Sequence, residues 1–185
     1  MSEFLIFAVV VAGVAAYSDL RTGLIPNWLT LGSLVLGIAG HFVRGLWLAD
    51  LRTASLEAAT ALAGAAFCAL VPGLLYLKKG MGGGDLKLFA ALGALCHPML
   101  GIEAELYAFA LTALVVPARL AYQGRLLGVL AGSFALLINP LLPAARRRAV
   151  PNEPSNWVRL WPAVFGGVAL ATALHEYAAH LARLG

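Results

Sequence analysis

Long apolar runs separated by short polar segments dominate the chain. Five of them approach the length of about 20 residues that a membrane-spanning helix needs. They cover residues 3–19, 27–44, 54–77, 100–122 and 157–176. A sixth run, 85–97, is shorter and begins at a glycine-rich segment. The pattern predicts an all-α membrane protein, a six-helix transmembrane bundle that forms one polytopic domain over residues 1–185.

The segment 124–156, between the last two predicted spans, is less regular. Its apolar stretch 126–142 is interrupted by glycine, asparagine and proline, and arginines flank it at 125 and 146–148. A transmembrane placement would put these two basic groups on opposite sides of the membrane. An interfacial or re-entrant placement keeps both on the cytoplasmic side, where basic residues are enriched. We therefore predict that 124–156 is cytoplasmic or partly interfacial.

Charge and composition refine this picture. The chain is 61% hydrophobic and 12% charged, which is about half the charged fraction of a soluble domain. With six spans and the N-terminus outside, only Arg44, Arg52 and Arg183 of the 13 Lys and Arg residues lie outside, as the positive-inside rule prefers. The first run lacks a basic start and is expected to be a retained helix rather than a signal peptide. No face combines aromatic and basic residues, so the expected surrounding partner is membrane lipid and not nucleic acid.

Two acids stand at the ends of apolar runs. Asp19 closes the first run, and Asp85 opens the fourth directly after three glycines. A carboxylate costs about 2.5–3.5 kcal/mol at the centre of a membrane helix and less near its end. Asp85 could also be a helix N-cap, and Asp19 could mark the membrane interface. Because the predicted topology puts both on the cytoplasmic face, a shared active site is the favoured interpretation.

Two neighbouring carboxylates hold one proton between them, so one can activate water while the other protonates a carbonyl oxygen. Helix N-termini favour anions, so our hypothesis makes Asp85 the base and Asp19 the acid. Gly82, Gly83 and Gly84 lack a Cβ, which would allow left-handed backbone angles and close approach of an extended substrate. Lys87 is expected to extend to the lipid headgroups, with contact to an acidic substrate residue as the weaker alternative.

No metal site or cofactor is expected from the sequence. His175 and His180 are five residues apart, about 140° around a helix, whereas the zinc-protease pair is four apart on one face. The cysteines lie inside predicted spans and form no CxxC pair. The other metal-binding residue types in the spans are interpreted as isolated, buried or structural: His41, His97, Cys68 and Cys96.

Two segments resemble the signatures of the type IV prepilin peptidases, the GxGD-type intramembrane aspartyl proteases of bacteria. The first is DLRTGLIPN at 19–27, and the second is GMGGGDLKL at 80–88. The resemblance implies that Asp19 and Asp85 are the catalytic pair of an aspartic endopeptidase. It further implies a multi-pass protein of the bacterial inner membrane with its active site on the cytoplasmic side.

The implied substrate is a prepilin or pseudopilin, cleaved between a short basic leader and a hydrophobic helix. The chain resembles the compact branch that serves tight-adherence (Flp) pili, since its cysteines form no CxxC motif. Methyltransferase activity, found in some larger members, is therefore not expected. Two alternatives from the residues alone are a small proton-coupled transporter or channel and a non-catalytic membrane subunit of a secretion or pilus machine.

Overall fold

The computed structural model describes residues 2–78, 80–138 and 161–184, and all regular elements within these ranges are helices. The all-α prediction is thus confirmed for the described residues. Lys79, the arginines at 146–148 and the predicted start of the last span at 157–160 lie outside the described residues. The helices are α1 (Ser2–Thr22), α2 (Asn27–Leu48), α3 (Leu51–Leu77), α4 (Gly83–Tyr122), α5 (Leu126–Ile138) and α6 (Trp161–Leu184).

Four of the described helices, α1 to α4, are long and apolar enough to cross a membrane. The predicted six-span bundle is therefore supported only in part, and the membrane placement of 124–156 stays a prediction. The predicted spans 85–97 and 100–122 form one element, α4, which is interrupted at His97, where the backbone is not helical (φ 63°, ψ 167°). Pro98 helps to explain this interruption, because proline disfavours helical angles in the residue before it.

The chain forms two compact units, of which the first comprises residues 1–111 and 159–185. In this unit α1 packs against α6, and α2 packs against both α3 and α1. Its buried side chains are largely small, and alanine is the commonest. Large apolar side chains point outward instead, including Leu24, Trp47 and Leu77. Small residues inside and large apolar residues outside are typical of helices that pack within lipid. This is a multi-pass membrane protein.

Glycines let the first half of α4 approach its neighbours closely. A Cβ on Gly93 would overlap the carbonyl oxygen of Gly64 in α3 and lie 2.8 Å from Cβ of Cys68. A Cβ on Gly37 of α2 would lie 3.1 Å from the backbone of Ala94. These contacts fix the segment that begins at Asp85 against both α2 and α3. The two cysteines are free and buried, as the sequence predicted.

The second unit, residues 112–158, is described as far as residue 138. It contains the end of α4, a turn and α5. Gly124 has a φ of +66°, which a glycine adopts at little cost. The amide of Arg125 donates to the carbonyl of Leu120 at 2.9 Å, which closes the C-terminus of α4.

Candidate active site

The C-terminus of α1 carries Asp19 in a sharply closed turn. Asp19 is 8% exposed and lies in the last turn of the helix. The amide of Gly23 donates to the carbonyl of Asp19 at 2.9 Å, with Gly23 at φ +69°. This is a left-handed helix cap, for which glycine is preferred. The local sequence therefore ends α1 at Thr22, three residues after Asp19.

Side-chain hydroxyls reinforce this turn. Ser18 Oγ donates to the carbonyl of Leu24 at 2.9 Å, and Thr22 Oγ1 donates to the carbonyl of Ser18 at the same distance. The chain then enters α2 through Pro26, whose φ of −62° is fixed by its ring. The turn places the segment 25–27 beside the end of α1.

The segment that precedes Asp85 is anchored at both ends. The amide of Gly80 donates to the carbonyl of Leu75 at 2.8 Å, which closes the end of α3. Met81 is 4% exposed and belongs to the apolar core together with Ala16 and Leu29. The buried Met81 side chain holds the glycine run against the bundle.

Asp85 occupies the third position of α4, and its carboxylate reaches back to the helix start. Its Oδ2 accepts a hydrogen bond from the amide of Gly82 at 3.3 Å. This is the return half of a capping box, in which an acid in the first turn satisfies the amide of the N-cap residue. The interpretation of Asp85 as the N-cap is therefore wrong in position: Gly82 takes the cap position, and Asp85 contributes its side chain from the first turn of the helix.

Two contacts join the segment after Asp19 to the segment around Asp85. Lys87 Nζ donates to Asn27 Oδ1 at 2.9 Å, across 60 residues of chain. A Cβ on Gly84 would lie 3.4 Å from Cδ1 of Ile25. The two segments that the sequence singled out therefore pack against each other in the first unit.

The expectation for the backbone angles of the glycines needs correction. Among the described residues, only Gly23 and Gly124 are glycines with positive φ, so Gly82, Gly83 and Gly84 do not have left-handed angles. Gly83 and Gly84 belong to the first turn of α4, because that helix begins at residue 83. Lys87 is exposed and donates to Asn27, and its expected contact with headgroups stays a prediction. Substrate binding by these four residues stays a prediction.

The sequence interpretation of His41 and His97 as isolated residues is wrong. Their rings lie 4.0 Å apart, and His97 Nε2 lies 3.1 Å from His41 Nδ1. Glu57, which the sequence did not single out, lies beside both histidines. No local signal could have found this cluster, because its members come from three different helices.

Glu105 is a second buried acid that the sequence interpretation missed. It lies in the second half of α4 and is 6% exposed. Among the described residues its Oε1 has no hydrogen-bond partner. The residue lies within a predicted apolar span, which was the available signal.

Comparison with known proteins assigns the class of this chain. The pattern of the Type IV leader peptidase family matches residues 6–118, more than half of the chain. The protein therefore belongs to the Type IV leader peptidase family, and the resemblance noted from the two segments is confirmed. The matched range includes Asp19, Asp85 and the residues of both contacts that join their two segments. No curated protein and no solved structure matches the chain.

Proposed function

We propose that this protein is an intramembrane aspartyl endopeptidase in which Asp19 and Asp85 form the catalytic pair. Its substrates are prepilin or pseudopilin precursors, from which it removes the basic leader at the cytoplasmic face of the bacterial inner membrane. The hydrogen bond between Lys87 and Asn27 carries the proposal, because it joins the two acid-bearing segments. Membership of the Type IV leader peptidase family supports a general peptidase activity.

The positions of the acids on their helices support distinct roles. Asp85 lies at the N-terminus of α4, where exposed amides and the helix dipole favour an anion. Asp19 lies at the C-terminus of α1, where the dipole disfavours one. One proton shared by the pair therefore resides mainly on Asp19.

Hydrolysis then needs no metal. Asp85 takes a proton from water as its oxygen attacks the scissile carbonyl carbon, while Asp19 donates its proton to the carbonyl oxygen. The carbon–nitrogen bond breaks as the tetrahedral intermediate returns a proton to Asp19. Asp85 passes the other proton to the leaving nitrogen. The products are a leader with a new carboxyl terminus and a mature subunit with a new amino terminus.

The test is cleavage of a purified prepilin, carrying a basic leader, by the reconstituted protein. Asp19→Asn and Asp85→Asn are preferred to alanine variants because they nearly preserve shape. The amide oxygen of asparagine can still accept from Gly82, so Asp85→Asn keeps the helix cap while losing the base. Glu103→Gln is the matched control, since Glu103 is an exposed acid on the same helix.

We expect a single cleavage with the wild type and the Glu103 control, and loss of at least about a thousandfold in rate in each aspartate variant. Folding of each variant is checked by its melting temperature in detergent. Full turnover by either folded aspartate variant would overturn the catalytic assignment. An intact substrate with the wild type, accompanied by proton uptake into the liposomes, would favour the transporter alternative.

A further inference from the structure

Three side chains with metal-binding atoms converge at the ends of the helices far from Asp19 and Asp85. His41 comes from α2, Glu57 from α3 and His97 from the break in α4. His41 Nδ1 lies 3.1 Å from His97 Nε2, and Glu57 Oε2 lies 3.7 Å and 3.5 Å from these two atoms, respectively. Asn27, at the start of α2, is 14 residues from His41, about 21 Å along a helix.

The two separations that involve Glu57 fit a shared metal ion better than hydrogen bonds, and the 3.1 Å between the two imidazole nitrogens fits either arrangement. A tetrahedral zinc site with bonds of about 2.0–2.1 Å has ligand atoms about 3.3–3.4 Å apart. The observed separations of 3.1, 3.5 and 3.7 Å lie around this value. A carboxylate that accepted hydrogen bonds from the imidazoles would lie at about 2.7–2.9 Å instead.

The orientation of His41 is set by its other nitrogen. His41 Nε2 lies 3.1 Å from the carbonyl oxygen of Leu95, which can only accept a hydrogen bond. Nε2 therefore carries the proton, and Nδ1 presents its lone pair to His97 and Glu57. Metal-binding histidines commonly make this bond to a backbone carbonyl. The ring is further fixed by Phe4, which stacks on it at 4.0 Å.

The backbone of His97 provides an independent observation. Its φ of 63° and ψ of 167° fall in a region that glycine occupies almost exclusively. Proline at 98 explains the loss of helical angles but not the positive φ. Residues held in such conformations cluster at ligand-binding sites. Here the strained backbone turns the imidazole toward His41 and Glu57.

We propose that His41, Glu57 and His97 bind one divalent transition metal ion of the zinc class. Two nitrogens and one carboxylate oxygen suit zinc, and three protein ligands leave a fourth position for water. Glu57 is 30% exposed and His97 is 19% exposed, whereas His41 is buried. The ion would join α2, α3 and α4, and the proposal is independent of the peptidase activity.

The experiment titrates Co²⁺ and then Zn²⁺ into the purified full-length protein without a histidine tag. Tetrahedral Co²⁺ gives a visible absorption band, and Zn²⁺ should abolish this band by displacement. Glu57→Gln removes the carboxylate at a partly exposed position. His97→Gly removes an imidazole at a position whose backbone angles glycine tolerates, so this variant should fold. His180→Ala removes an exposed histidine in α6 and is the control.

We expect one ion per chain in the wild type and in the His180→Ala control. In Glu57→Gln and His97→Gly we expect the affinity for the metal ion to be at least tenfold weaker. Zinc should also raise the melting temperature of the wild type but not that of His97→Gly. Absence of a cobalt band in the wild type would overturn the proposal. Equal affinity in the wild type and the two folded ligand variants would do the same, because it would indicate adventitious binding elsewhere.

Discussion

Replacement of Gly82 by alanine separates the folding role of the glycine run from its proposed catalytic role. A Cβ at this position would lie 3.4 Å from Asp85 Oδ2 and 3.9 Å from its Cγ. These are ordinary van der Waals separations, so the methyl group fits without displacing the backbone. It would, however, exclude water from the carboxylate oxygen that the proposed mechanism uses.

The expected stability change is small. Alanine is a poorer N-cap residue than glycine, which costs up to about 1 kcal/mol. A cost of 1 kcal/mol lowers the melting temperature of a chain of this size by about 2–4 °C. Activity should fall further, because a tenfold loss requires only about 1.4 kcal/mol in the barrier. We expect a loss of at least about tenfold in kcat/KM in the prepilin cleavage assay.

Gly83→Ala is the matched control within the same run. Its Cβ would meet Cε2 of Tyr76 at 3.4 Å, and no atom of the Asp85 carboxylate would lie within 4 Å of it. We expect this variant to fold and to lose less activity than Gly82→Ala, because its methyl group does not contact the Asp85 carboxylate. Full activity in Gly82→Ala would refute the reasoning about Asp85. An equal loss of activity in both variants would show that activity depends on the flexibility of the glycine run rather than on the access of water to the Asp85 carboxylate.

Three further predictions concern packing and helix termini. Gly93→Ala should destabilise the protein by about 1–3 kcal/mol, measured by thermal unfolding in detergent, because its Cβ would overlap the Gly64 carbonyl oxygen. Lys87→Met removes the bond to Asn27 and should lower both melting temperature and peptidase activity, the first by only a few degrees. The amide of the first turn of α3 holds the pKa of Asp50 below its ordinary 3.8. This stabilisation is therefore present above that pH and is lost as the pH falls below it; Asp50→Asn should remove this part of the acid sensitivity in melting curves.

The helices follow from local sequence, and so do several of their ends. The apolar runs are long enough to form helices in lipid, where backbone groups must be satisfied within each segment. Gly23 ends α1 by a left-handed cap, and Asp50 begins α3 by accepting from the amide of Thr53. Each of these helix ends depends on residues within about four positions of one another, so a sequence pattern suffices to predict it.

The candidate functional residues differ in the same way: some lie beside a local motif, and others are brought together only by tertiary packing. The acids Asp19 and Asp85 were found because each lies beside a recognisable local motif. The cluster of His41, Glu57 and His97 was not found, because its members come from three helices and no motif surrounds them.

The sequence by itself determined an all-helical membrane chain and the two segments that identify its family. Only the tertiary structure decided that Lys87 meets Asn27 and that α4 breaks so as to turn His97 toward His41. The physical reason is that helix pairing in lipid depends on where small residues allow backbones to approach, as Gly93 and Gly64 do. Such contacts are sums of many weak terms between distant residues, and no local pattern encodes them.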